Sequence, residues 1–107
     1  MTNLGKVEIG DSIRLETILT NISSGYSNAD DIKISVVNSD DSLLINTTST
    51  NISNFSTGMY RYDLYLDNNT FSSGSHYIIW TGYSRYGTVN FSFYQEDYLY
   101  IDKNRLI

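Results

Sequence analysis

The sequence predicts an all-β chain folded as a single antiparallel two-sheet sandwich of about seven strands. Three observations point there. Apolar residues alternate with polar ones in several short segments, while helical spacing is absent. The alternating segments are rich in β-branched and aromatic residues. Turn-forming clusters punctuate them, and proline is absent throughout.

Taken in order, a short apolar run at residues 7–9 predicts a first strand, closed by Gly10-Asp11. Residues 12–22 predict a second, of mixed phase. Ile13, Leu15 and Leu19 share one parity and Ile18 and Ile22 the other, which a bulge or burial on both faces would explain. Ser23-Ser24-Gly25 ends it. Ile32, Ile34 and Val36 then alternate with Lys33, Ser35 and Val37, up to the turn Asn38-Ser39-Asp40-Asp41. Residues 43–45 predict another strand. The Asn/Ser/Thr-rich stretch at 46–57 reads as a loop with a weak strand inside, anchored by Ile52 and Phe55. Tyr60, Tyr62, Leu64 and Leu66 alternate with Arg61, Asp63 and Tyr65, before Asp67-Asn68-Asn69. Ile78 and Trp80 follow Ser73-Gly74, and Val89, Phe91 and Phe93 form the last regular run.

A hairpin turning through Ser84-Arg85-Tyr86-Gly87 would set Ile78 against Phe93, Trp80 against Phe91 and Gly82 against Val89. The large apolar residues then share one face, with Trp80 packed on Phe91 in the core. The opposite face would pair Tyr77 with Tyr94, Ile79 with Ser92 and Thr81 with Asn90. A one-residue slip would mix the two faces.

At 107 residues the chain is the size of one domain, able to bury roughly two-thirds of its unfolded surface. With 40% hydrophobic and 14% aromatic residues it is too apolar for a disordered segment. Net charge is -5, and the seven Lys and Arg do not cluster. Nucleic-acid and anionic-membrane partners both require a basic stripe and are not expected. No apolar stretch approaches the roughly 20 residues of a membrane helix, and no secretory leader is expected from the first residues. The Asn-x-Ser/Thr sites at Asn21, Asn46, Asn51, Asn54, Asn68 and Asn90 follow from the abundance of those residues.

Catalytic chemistry finds little to use. There is no Cys and one histidine, His76, at the start of a strand and in phase with Ile78 and Trp80. That reads as a partly buried structural residue. No Gly-x-Ser-x-Gly elbow, transition-metal ligand set, EF-hand spacing or phosphate loop is present. The acidic pairs Asp30-Asp31, Asp40-Asp41 and Glu96-Asp97 read as solvated turn residues. The expectation is a protein that is not an enzyme and needs no cofactor or metal.

The aromatic excess is more informative. Of ten tyrosines, parity assigns Tyr60 and Tyr62 to the core and leaves Tyr77, Tyr83 and Tyr94 outward, with Ile79 among them. The strand carrying Lys33, Ser35 and Val37 would join this sheet. Tyrosine offers large contact area at low entropy cost, so this face is a candidate interface, or else ordinary cross-strand pairing on a wet sheet. The chain then divides into a sandwich over residues 1–97 and an apolar C-terminal tail over 98–107. In the tail, Tyr98 and Tyr100 alternate with Leu99 and Ile101. Two burials stay open. The tail can extend the last strand over its own sheet, or it can dock on a neighbour's sheet edge with these four residues as anchors.

Several segments together resemble a known pattern: Gly10-Asp11-Ser12-Ile13-Arg14-Leu15, Asp30 to Val36, Thr57-Gly58-Met59-Tyr60-Arg61-Tyr62, Gly74 to Trp80, and Phe91-Ser92-Phe93. They resemble immunoglobulin-like and macroglobulin-like sandwich domains, which also occur as small stand-alone proteins of tailed bacteriophages and related viruses. The resemblance covers about residues 10–95. It implies an immunoglobulin-like sandwich in which Thr57-Gly58-Met59-Tyr60 is a turn plus a core aromatic. It also implies a virion structural protein, as head decoration, neck or tail component, assembled in the host cytoplasm. Its partners would be other virion structural proteins and copies of itself, with both chain ends held by neighbouring subunits. The long Asn/Ser/Thr stretch and the lack of proline depart from the family pattern. An adhesion or carbohydrate-binding module, with tyrosines stacking on sugar rings, is the alternative.

Overall fold

A computed structural model describes residues 2–21, 25–26, 29–48, 51–86 and 89–103. The chain forms β1 (Thr2–Glu8), β2 (Ser12–Ile18), β3 (Thr20–Asn21), β4 (Gly25–Tyr26), β5 (Asp31–Asn38), β6 (Leu43–Thr48), β7 (Ser53–Ser56), β8 (Met59–Tyr65), β9 (Gly74–Tyr86) and β10 (Val89–Asp102). No α-helix occurs among the described residues. Two sheets form the sandwich, one of five strands in the order β1-β10-β9-β5-β6 and one of three in the order β2-β8-β7. A two-stranded β3-β4 ribbon stands apart from them.

The core lies where the predicted parities converge. Ile32, Ile34 and Val36 from β5 and Ile78 and Trp80 from β9 face Leu15 from β2 and Tyr60 and Leu64 from β8. Ile9, Ile52, Leu66 and Phe71 close the periphery. At the first corner, Gly10 takes a φ of 99°, a left-handed conformation that costs glycine little. Its N–H donates to the Leu66 carbonyl at 2.8 Å, and the Leu66 N–H donates to the Asp11 carbonyl at 2.9 Å. These bonds tie the passage between sheets to the end of β8.

Four expectations are corrected. The β9-β10 hairpin closes at Tyr86↔Val89, so Ser84, Arg85 and Tyr86 belong to β9 and Gly87 lies outside the described residues. Every partner therefore slides by four residues: Trp80 meets Gln95, Gly82 meets Phe93 and Phe91 meets Ser84. A four-residue slide preserves parity, so the assignment of faces survives although the partners change. Gly82 fits its new place. A Cβ there would stand 2.7 Å from the Phe93 ring and nearer still to the Asp31 carbonyl oxygen.

The slide also carries β10 on to Asp102, so a boundary at residue 97 falls inside a strand. Leu99 and Ile101 pair with His76 and Gly74 and are buried at 2% and 0% exposure. Residues 104–107 and Met1, on which the expectation of held chain ends falls, lie outside the described residues.

Third, β1 runs parallel to β10, the one parallel pair among the described residues in an otherwise antiparallel arrangement. Fourth, β2 is one-faced and ends at Ile18. Leu15 and Thr17, then Leu19 just beyond, are buried while Ile18 is 53% exposed; Ile22 lies outside the described residues. The mixed phase arose from reading past the strand's end, and neither a bulge nor two-sided burial is needed.

Candidate functional site

The outward face of the five-stranded sheet is built by register. Residues 77, 79, 81 and 83 of β9 point away from the core, as do 92, 94, 96, 98 and 100 of β10 and 33, 35 and 37 of β5. Backbone pairing sets Val37 beside Tyr77 and Tyr77 beside Tyr98. A bulge between Val36 and Val37 brings Leu43 of β6 opposite Val37, extending this row to the far edge, where Leu43 is 55% exposed. The next rows run Ser35–Ile79–Glu96, Lys33–Thr81–Tyr94 and Asp31–Tyr83–Ser92. Aromatic cross-strand pairs such as Tyr77–Tyr98 contribute roughly 0.2–1 kcal/mol, so the face has a structural use as well.

Of the eight residues singled out in the sequence, six share this face. Tyr77, Ile79, Tyr83 and Tyr98 are half-buried, and Tyr94 and Tyr100 are exposed. Leu99 and Ile101 are separated from them by strand alternation and belong to the core. Desolvation on the sheet raises the Tyr94 phenol above its ordinary value. The Glu96 carboxylate, two residues on along the same face, raises it further through its charge and a hydrogen bond that it accepts.

The opposite face of β10 carries polar groups that the sequence reading missed. Asp97 is not a solvated turn residue: it is buried at 5% exposure on the inward face. Its Oδ2 accepts from Gln95 Nε2 at 2.7 Å and its Oδ1 from the Thr2 N–H at 3.3 Å, while Thr17 Oγ1 donates to Gln95 Oε1 at 2.7 Å. This chain links β2 to β10 and β1 across the two layers. The odd parity that Gln95 and Asp97 share with Phe93 and Leu99 was the available signal.

A cavity of about 320 Å³ opens beside this chain. It is lined by Leu4 and Val7 of β1, Ile13, Leu15, Arg14 and Glu16 of β2, and Trp80, Asp97 and Leu99 of the facing sheet.

His76 is more deeply buried than its position suggested, at 1% exposure. Its ring packs against Phe71 with centroids 5.9 Å apart, and Nδ1 lies 3.0 Å from the Gly74 carbonyl oxygen. Among the described residues, no three His, Cys, Asp or Glu side chains group as metal ligands would. Asp30 is a turn residue with a structural bond: its carboxylate accepts the Arg85 N–H. No family model matches the chain, and no curated protein resembles it closely enough to match.

Proposed function

We infer that this domain is a non-catalytic binding protein whose working surface is the outward tyrosine face of the five-stranded sheet. We further infer that it serves as a virion structural component, as head decoration, neck or tail part, held by contacts with other virion proteins. The observation that carries the binding reading is the row Leu43–Val37–Tyr77–Tyr98, flanked by Ile79, Tyr83 and Tyr94. It is an apolar and aromatic surface on a face the core does not use. Contiguous patches of this kind mark interaction sites, and tyrosine is enriched in them.

The strand arrangement supports the immunoglobulin-like part of the reading. Matching β2, β5, β6, β7, β8, β9 and β10 to strands B, C, C′, D, E, F and G puts G, F, C and C′ in one sheet and B, E and D in the other, the grouping of that fold. The virion role rests on the sequence resemblance. Burial of the lone histidine in the core supports the non-catalytic reading.

The test replaces Tyr77 and Tyr94 together by Ser. The isolated domain is expected to keep its far-UV circular dichroism and its melting temperature to within a few degrees, and to lose incorporation into particles. Unchanged incorporation would remove the face from the contact. Exposure of Tyr94 at 63% also suits stacking on a sugar ring. Saturable glycan binding by the monomer, lost in the same variant, would favour the carbohydrate-binding alternative.

A further inference from the structure

The outer strands of the two sheets are β1 and β6 in one and β2 and β7 in the other, and they are not equally guarded. An edge strand leaves a row of backbone N–H and C=O groups facing outward, a template for another strand. Folded proteins blunt such edges with charge, bulges or short length. β1 carries Lys6 and Glu8 and is interrupted by a register shift between Asn3 and Lys6. β2 carries Arg14 and Glu16. β7 has only four residues. β6 holds no charge, no proline and no glycine. Its bulge falls at its start, opposite Val36 and Val37, and leaves Ile45 to Thr48 in regular register with β5.

Charge narrows the choice of partner. Residues 42–60 contain no Asp, Glu, Lys, Arg or His, the longest such stretch in the chain, and they build both β6 and β7. A net charge of -5 keeps copies of the chain apart over the rest of the surface. At β6 two copies can meet without opposing like charges. A charged foreign strand would find nothing there to steer or pair it.

The strand is also complementary to itself. Asn46 pairs with Ser35 and so lies on the outward face, while Ile45 and Thr47 pair with Val36 and Ile34 on the inward face. A two-fold axis through Asn46 sets that residue against its own copy and sets Ile45 against Thr47 of the second copy. Every opposed pair then shares a face, as antiparallel pairing requires. The facing Asn46 amides carry both donors and acceptors and can bond to each other.

We propose that β6 is a self-association edge, through which two copies of this chain pair antiparallel about an axis at Asn46 and join their five-stranded sheets into one. The pairing consumes the open edge, and the guarded β1 lies at each far end, so assembly stops at the dimer. This surface is separate from the tyrosine face, and either can fail alone.

The whole chain is followed by sedimentation velocity over a concentration series. Its weight-average mass is expected to rise from that of one copy to that of two. Asn46→Lys puts like charges at the axis and should weaken the dimer by about tenfold or more. Asn46 is exposed, so circular dichroism and melting temperature should hold. Replacing Tyr77 and Tyr94 by Ser should leave the dimer intact. A second measurement fixes the register. The chain has no cysteine, so one introduced thiol reports alone. Asn46→Cys sets two thiols on strands whose Cα atoms are about 4.5–5.5 Å apart, within reach of a disulfide. Leu43→Cys, at a 55% exposed position of the same strand, separates them by about 20 Å. Mild oxidation should link the first variant and not the second. A chain that stays monomeric, growth beyond the dimer, undiminished association of the Lys variant, loss of the dimer in the Tyr77 and Tyr94 variant, or equal linking of both thiol variants would each overturn the proposal.

Discussion

Trp80 sits in the central strand of the five-stranded sheet, with Ile34 of β5 on one side and Gln95 of β10 on the other. Its alternation with Tyr77, Ile79 and Thr81 placed it in the core before any partner was known. Replacing it by Ala empties the largest buried side chain and should cost about 3–5 kcal/mol, read as a drop in urea midpoint at unchanged slope. A midpoint within experimental scatter of the parent would mean the indole is not part of the packed core. Tyr94 makes a different argument. Its phenol is raised by desolvation and by Glu96, so the folded chain holds that proton more tightly than the unfolded chain. The resulting stability is present below the ordinary tyrosine value and is lost as pH rises from there through the folded value. Glu96→Gln removes the charge and should lower the Tyr94 titration, followed by the ring-carbon resonance. An unmoved midpoint would separate Glu96 from the effect. Neither the Glu96 contact nor the burial of Asp97 could be read from the adjacent Glu96-Asp97 pair. A strand sends neighbouring residues to opposite faces, and the sequence did not show that the strand continued this far.

At the scale of elements, β10 decides most. Its alternation continues without a break from Phe91 to Ile101, sending Leu99 and Ile101 inward and Tyr98 and Tyr100 outward. Leu99→Ala should therefore cost about 2–5 kcal/mol. Tyr100→Ser, one residue away on the exposed face, should stay within about 0.5 kcal/mol. Ending the chain after Asp97 removes both buried residues and the partners of Lys6, Val7 and Glu8 in β1. The isolated truncated domain is expected to lose its cooperative thermal transition; melting near the parent temperature would show that residues 98–102 do not hold the fold. The four-residue slide in the β9-β10 hairpin illustrates why element partners were harder to read than element faces. Face is a local property with period two, and any even slide satisfies it. Partner choice depends on turn length and on what the far ends of both strands can bury.

Across the whole molecule, the two faces of the five-stranded sheet divide the work. The inward face joins the three-stranded sheet through apolar packing and the Thr17–Gln95–Asp97 chain, while the outward face keeps its tyrosines half-open. Because Tyr77 and Tyr94 lie wholly on the second face, their double replacement can separate contact from stability, which no core substitution could do. Alternation and turn residues were enough to read the all-β class, the middles of most strands, the inward and outward sets of β5, β8 and β9, and the gathering of tyrosines on one face; the ends of β1 and β10 and the β3-β4 ribbon were not legible. What was legible follows from alternation and turn chemistry, which act over a few residues. The parallel docking of β1 on β10, the extension of β10 into the core, the buried polar chain between layers and the cavity beside Trp80 became visible once the chain was folded. Each of these depends on residues tens of positions apart being brought together, and their pairing is set by the packing of the two sheets as a unit.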